Sequence, residues 1–63
     1  MTDIKEALYA AYRKADDIIL LTRELPQLDE VITRYLIVMR VQAEEIKHCI
    51  DILETAYGIG DNH

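Results

Sequence analysis

The residues best suited to chemistry are a glutamate and a histidine three positions apart, Glu45 and His48. Di-iron carboxylate bundles use this Glu-x-x-His spacing, because side chains three residues apart share a helix face. Such a centre needs both groups turned inward and further carboxylates from neighbouring helices. The hydrophobic pattern places His48 on an outer flank, and no acid lies on the apolar stripe of the first predicted helix. We therefore expect a solvated flank and no cofactor, with a metal-binding bundle using Glu45 and His48 as the alternative.

Cys49 is the single cysteine, so the chain cannot form a disulfide within itself. Its place among apolar residues predicts a buried thiol that behaves as a small hydrophobe. A disulfide between two copies and a reactive thiolate are the alternatives. No Ser/His/Asp or Cys/His catalytic set can be assembled, and there is no glycine-rich phosphate loop. We therefore expect that the protein has no catalytic residues and is not an enzyme.

Length and composition restrict the classes of protein that the chain can represent. It has 63 residues, 51% of them hydrophobic and 30% charged, which is typical of a single folded domain. The net charge of −5 makes a nucleic-acid or anionic membrane partner unlikely. The longest apolar run, Tyr35–Met39, is far shorter than the roughly 20 residues of a membrane span. With no leader at the start, we expect a cytoplasmic protein.

A first helix is predicted over about residues 3–25. Asp3 is a suitable N-cap, with Glu6 at the third helical position as in a capping box. Pro26 ends the helix, since the residue before a proline is disfavoured in the α region. Apolar or small residues recur in alternating steps of four and three, as in a heptad stripe: Ile4, Leu8, Ala11, Ala15, Ile18, Thr22 and Leu25.

A second helix is predicted over about residues 27–57, since Pro26 also suits the start of a helix and Gly58 its C-terminal cap. One continuous kinked helix is the alternative. This helix is longer than the first, and we expect Ile46–Tyr57 to overhang its partner. Residues 59–63 are predicted to be a frayed tail. The main stripe has the same spacing: Leu28, Ile32, Tyr35, Met39, Gln42, Ile46, Cys49, Leu53 and Ala56. A second column, one residue further on, consists of Leu36, Ala43, Ile50 and Tyr57.

These patterns predict an all-α, two-helix hairpin that dimerises into a four-helix bundle. Ordering about 57 residues costs on the order of 85 kcal/mol, which would require burial of roughly 3,400 Å² of apolar surface. One helix pair has a single seam, so a second copy is the simplest source of further burial. The patterns leave open dimer or higher oligomer, and parallel or antiparallel assembly. The predicted oligomer interface comprises Leu8, Ala11, Ala15, Ile18, Ile32, Tyr35, Met39, Gln42, Ile46, Cys49 and Leu53.

Polar residues suggest two further roles. Gln42 is the only strongly polar residue of the second stripe; it either pairs with its symmetry mate and sets the register, or reaches solvent. A group of acidic residues forms either an ordinary solvated face or a docking surface for a basic partner, which would be an unidentified host protein. This possible partner surface consists of Asp16, Asp17, Glu44, Glu45 and Asp51.

In length and layout the chain resembles the plasmid-encoded Rop-type RNA-binding hairpins. The likeness covers two capped helices, a turn near the middle and a short acidic tail, and it implies a four-helix bundle of two chains. No RNA-contacting residue of that family matches a position here. In size, acidity and helical pattern the chain also resembles the small accessory proteins of the lambdoid phage early region. That resemblance implies a non-enzymatic regulator that modulates host physiology or phage development by binding proteins, with a Rop-like RNA-binding bundle as the alternative.

Overall fold

A computed structural model, which describes residues 3–59, has two antiparallel helices packed side by side. Helix α1 spans Ile4–Glu24 and helix α2 spans Glu30–Ala56. The predicted two-helix hairpin is confirmed, and the alternative of one continuous helix is wrong. Residues 60–63 of the predicted tail lie outside the described residues.

Helix α1 begins and ends close to the predicted positions. The Asp3 side chain accepts a hydrogen bond from the backbone N–H of Lys5 at 3.1 Å, which satisfies one of the free donors of the first turn. At the other end Leu25 has an extended backbone, with ψ of 138°. The ring of Pro26 disfavours a helical conformation at Leu25, and the helix therefore ends at Glu24.

Helix α2 begins three residues later than predicted. Pro26 is not its first residue, because the chain from Leu25 to Asp29 is non-helical and forms a linker. Asp29 is the N-cap: its side chain accepts a hydrogen bond from the backbone N–H of Ile32 at 2.9 Å. A carboxylate that satisfies a free N–H and lies at the positive end of the helix dipole defines the start better than the proline does.

The C-terminal end of α2 has the predicted glycine cap. Gly58 has a φ of +73°, in the left-handed region that a glycine adopts without steric cost. The N–H of Gly58 donates to the carbonyl of Thr55 at 3.1 Å, and that of Ile59 donates to the carbonyl of Glu54 at 2.9 Å. These two bonds form a Schellman motif, which stops the helix at Ala56.

The helices pack through small residues in the middle of the hairpin. Ala15 and Ala43 are 2% and 1% exposed and form the core with Ile19, against which Ile18 packs. Such short side chains let two helix backbones approach closely. Within residues 3–59 only seven residues are buried: Ala15, Ile19, Thr22, Leu36, Ala43, Ile50 and Glu54.

The interface uses only part of the predicted stripe of α1. Leu8, Ala15 and Thr22 are half-buried or buried, as expected. Ala11 is exposed, and Ile19 is buried instead. The burial pattern is thus rotated slightly around the helix from the predicted stripe.

On α2 the difference is larger. The buried residues Leu36, Ala43 and Ile50 belong to the second column, and every residue of the main stripe from Ile32 to Leu53 is exposed in the single chain. The reason is geometric: α2 has two adjoining apolar faces, and one neighbouring helix can cover only one of them.

Two polar contacts fix the register of the helices, and they correct the predicted overhang. Lys47 binds Asp16, and Arg40 binds Thr22. An α1 residue and the α2 residue beside it therefore have residue numbers whose sum is about 62 or 63. The first turns of α1 therefore lie beside the C-terminal half of α2, and Ile46–Tyr57 is not the overhang. The part of α2 that extends beyond α1 is its N-terminal end, residues 30–37, over about 12 Å at 1.5 Å per residue.

We predict that Ala43→Leu destabilises the hairpin by about 1–3 kcal/mol, because the added atoms would force the close-packed helices apart. Chemical denaturation followed by circular dichroism measures this loss. Ala10→Leu is the matched control, since Ala10 is exposed on α1. Alanine and leucine have similar helix propensity, so the substitution itself should change helix stability little. Equal stabilities of the two variants would contradict the close packing at Ala43.

Candidate functional site

The most extensive surface feature of the hairpin is a set of exposed apolar side chains that run along both helices. On α2 no charged residue interrupts the set between Ile32 and Leu53. We call this surface the apolar face. It consists of Ile4, Ala7, Ala11, Leu21 and the half-buried Ile18 of α1, and of Ile32, Tyr35, Met39, Gln42, Ile46, Cys49 and Leu53 of α2.

The two halves of the apolar face lie on the same side of the hairpin. At 100° per residue, the α1 members follow the side of that helix opposite to Asp16 and Arg23, and the α2 members follow the side opposite to Glu44 and His48. Those four polar residues line a common cleft between the helices, which fixes one side of the hairpin. The apolar residues therefore share the other side, where they form a single surface.

The single cysteine and the stripe glutamine lie on this surface. Cys49 is exposed, so within one chain the thiol is not the buried hydrophobe that the sequence predicts. It lies one position before Ile50, and α1 covers the Ile50 column instead. Gln42 is exposed as well. Whether either side chain contacts a second copy stays a prediction.

The pair with metal-ligand spacing is also solvent-exposed. Glu45 and His48 both lie on the surface of α2. His48 lines the cleft and Glu45 does not. Between residues 3 and 59 no three His, Cys, Asp or Glu side chains are grouped so that they could hold a metal ion.

The other side of the hairpin carries a polar cleft of about 430 Å³. Three of the five predicted acidic residues, Asp16, Glu44 and Asp51, meet there, whereas Asp17 and Glu45 lie elsewhere on the surface. The full lining is Tyr12, Asp16, Ile19, Arg23, Glu44, Lys47, His48 and Asp51. The predicted acidic surface is therefore a mixed one in which cations lie between the acids.

Lys47 connects the two helices across the cleft. Its Nζ donates to Asp16 Oδ1 at 3.0 Å and lies 4.8 Å from the centre of the Tyr12 ring, which is a cation–π distance. The hydrogen bond to Asp16 raises the pKa of the Lys47 ammonium above its ordinary value, with a smaller contribution from Tyr12. The sequence pattern did not identify Lys47 or Tyr12 as site residues, because they are 35 positions apart and meet only when the hairpin closes.

A second polar contact crosses the interface between α1 and α2, closer to the linker than Lys47. The buried hydroxyl of Thr22 donates to the carbonyl of Ile19 at 2.7 Å and accepts from Arg40 Nε at 3.2 Å. Both hydrogen-bonding functions of the hydroxyl are thus satisfied, which removes the cost of burying it. The contact also helps to fix the register of the helices.

Comparisons with known proteins identify no relative: no family model, curated protein or solved structure matches the chain. Neither resemblance suggested by the sequence gains support from them. What stands is the two-helix hairpin itself. Across residues 3–59, neither helix is both long and apolar enough to cross a membrane.

We predict that Asp16→Asn lowers the pKa of Lys47 towards its ordinary value, as read from an NMR titration of the lysine side chain. Asp17→Asn is the control, because Asp17 lies outside the cleft and should leave that pKa unchanged. Since the pKa is raised in the folded state, the pair stabilises the fold fully below the unfolded pKa of about 10.4, and this stabilisation is lost as the pH rises through the folded-state value. The pair is partly solvated, and its energetic contribution is therefore small. An equal response of Lys47 to both variants would contradict the assignment.

Proposed function

We propose that the chain is a small regulatory protein that acts by binding another protein rather than by catalysis. Two copies bury their apolar faces against each other as a four-helix bundle, and the polar clefts remain on the outside for a partner. The observation that carries the proposal is the apolar face, which runs along both helices, has no charge on α2 and is largely exposed in a single chain.

The size of the exposed surface supports self-association. The chain exposes 5133 Å², about 900 Å² more than the roughly 4,200 Å² expected for a compact monomer of 7.3 kDa. The hairpin measures 43 Å by 19 Å in its two largest dimensions, so one flat side covers on the order of 800 Å², the share that one partner buries in a standard interface. The excess exposed area of the single chain is thus similar to the area of one flat side of the hairpin.

The chemistry of the face favours a second copy as the occupant. A two-fold interface places the same patch on both chains, and a patch must then tolerate contact with itself. An uncharged apolar surface does so without like-charge repulsion. On α2 the face has Gln42 as its only strongly polar side chain, and on α1 Lys14 is the single charge in the same direction. The long aliphatic stem of a lysine allows its charge to reach water at an edge.

Binding to a partner protein would then fall to the opposite side. In a face-to-face dimer both polar clefts point outwards, one on each side of the bundle. Glu44 and Asp51 are the acids of the cleft outside the Lys47–Asp16 pair, and the net charge of −5 adds a favourable field for a basic segment. These features support a basic protein surface as the partner.

We predict that Ile46→Glu dissociates the assembly, because it would bury two carboxylates in the interface of a dimer. Sedimentation equilibrium should show a mass of about twice 7.3 kDa for the native chain and a large loss of dimer for the variant. Ile52→Glu is the matched control: both isoleucines are exposed on α2, at 46% and 55%, but Ile52 lies on the side away from the apolar face.

Two results would contradict this assembly. One is a cooperatively folded native chain that sediments as a monomer at micromolar concentration. The other is equal dissociation by both substitutions, which would show that the effect does not depend on the face.

We predict that a partner protein captured from the native host by affinity pull-down is lost with the double charge reversal Glu44→Lys/Asp51→Lys. Glu6→Lys/Glu24→Lys is the control, with the same charge change on exposed positions of α1 outside the cleft. Mass spectrometry identifies the partner. Capture that survives reversal of the cleft would exclude it as the binding surface, and recovery of RNA with steep salt dependence would support the RNA-binding alternative instead.

A further inference from the structure

The apolar face is not the same width along its length. Helix α1 ends at Glu24, level with residue 38 or 39 of α2, whereas α2 begins at Glu30. Over residues 30–37 the face therefore has α2 as its only helix, with the linker from Leu25 to Asp29 beside it. Its members there, Ile32 and Tyr35, are 37% and 65% exposed. A partner that completes the core must cover this narrow end as well as the two-helix part.

Two face-to-face dimers have two-fold symmetry and antiparallel neighbours throughout. In the first, both linkers lie at the same end, and α1 of the partner covers α2. Because α1 does not extend to residues 30–37, this arrangement leaves both narrow ends uncovered. In the second, the linkers lie at opposite ends, and α2 packs along α2 of the partner. Each narrow end then lies on the C-terminal half of the partner's α2, while residues 4–15 of each α1 extend past the end of the partner's α1.

We propose that two copies pair with the α2 helices antiparallel to each other and the two-fold axis next to Gln42. The inference rests on the self-association proposed above and adds its geometry. The residues of the α2 stripe are placed symmetrically about this point: the midpoint between 32 and 53, and that between 39 and 46, both fall at 42.5. Ile32 thus packs on the partner's Leu53, and Met39 on the partner's Ile46.

The axis position also accounts for the one polar residue of the stripe. At the axis Gln42 meets the partner's Gln42, and two amides can each donate to and accept from the other. With both linkers at one end, residue 42 would instead be level with residue 20 or 21 of α1 and would face the partner's Leu21. A buried amide without a partner costs about 1–3 kcal/mol. The opposite-end arrangement is the one that satisfies this group.

The same geometry determines what Cys49 can do. Two residues at position 49 lie 6.5 positions on either side of the axis, and hence about 20 Å apart along it at 1.5 Å per residue. The Cα atoms of a disulfide are no more than about 7 Å apart. The native dimer is therefore not linked through Cys49, whose side chain packs near the partner's Tyr35 instead.

Disulfide cross-linking of the full chain tests the pairing. In a Cys49→Ser background, Gln42→Cys should form a disulfide dimer on mild oxidation, and the native chain should not. When Ile32→Cys chains are mixed with Leu53→Cys chains of different mass, the expected product is the mixed 32–53 dimer. A Gln42→Cys chain that instead cross-links to a Leu21→Cys chain would overturn the proposal in favour of linkers at the same end.

A label away from the interface provides a second measurement that does not alter the apolar face. Thr55 is exposed on the polar side of α2. In Cys49→Ser/Thr55→Cys, paired spin labels should be offset by about 38 Å along the bundle axis, whereas linkers at the same end would bring the offset close to zero. Sedimentation of each sample tests self-association separately from the antiparallel pairing of the α2 helices. A dimer with the short distance overturns the antiparallel pairing alone, and a monomer overturns both the pairing and the self-association beneath it.

Discussion

A pair of helices can bury only one stripe of each helix, and this limit shapes the whole structure. In this chain α2 has two adjoining apolar columns. In the buried column Ala43 and Ile50 pack on α1, where small residues permit close approach, and Leu36 is buried next to the linker. The other column is left in water. The closure of the hairpin thus creates an exposed apolar surface at the same time as it forms the core.

The core formed in this way is small and partly polar. Besides the buried apolar residues it includes Thr22 and Glu54, and the interface is bordered by the Arg40–Thr22 and Lys47–Asp16 contacts. Polar contacts of this kind define which residues lie opposite each other but contribute little to stability. In the proposed assembly the register comes from the polar contacts within one chain, and contact between two chains adds the apolar burial that a single hairpin lacks.

In the proposed assembly the two sides of the hairpin have different tasks. The apolar face is suited to a copy of itself, because it carries almost no charge and matches a standard interface in area. The cleft has the opposite character, because both acids and cations line it. A surface of that kind provides specificity and electrostatic steering rather than burial. Under the proposed function, one short chain combines assembly and recognition without a separate domain for each.

The sequence by itself determined the two helices and three of their four ends. Asp3, Pro26 and Gly58 act locally, through a cap, a restricted backbone and a left-handed φ, and such signals are readable from neighbouring residues. Only the tertiary structure decided which column of α2 faces α1, that Asp29 rather than Pro26 starts α2, and which end overhangs. Two columns with the same period are equivalent in a sequence, and the choice between them depends on how closely the backbones at Ala15 and Ala43 can approach. The sequence did not predict the cleft for the same reason, since Tyr12, Asp16 and Lys47 become neighbours only through the register of the packed helices.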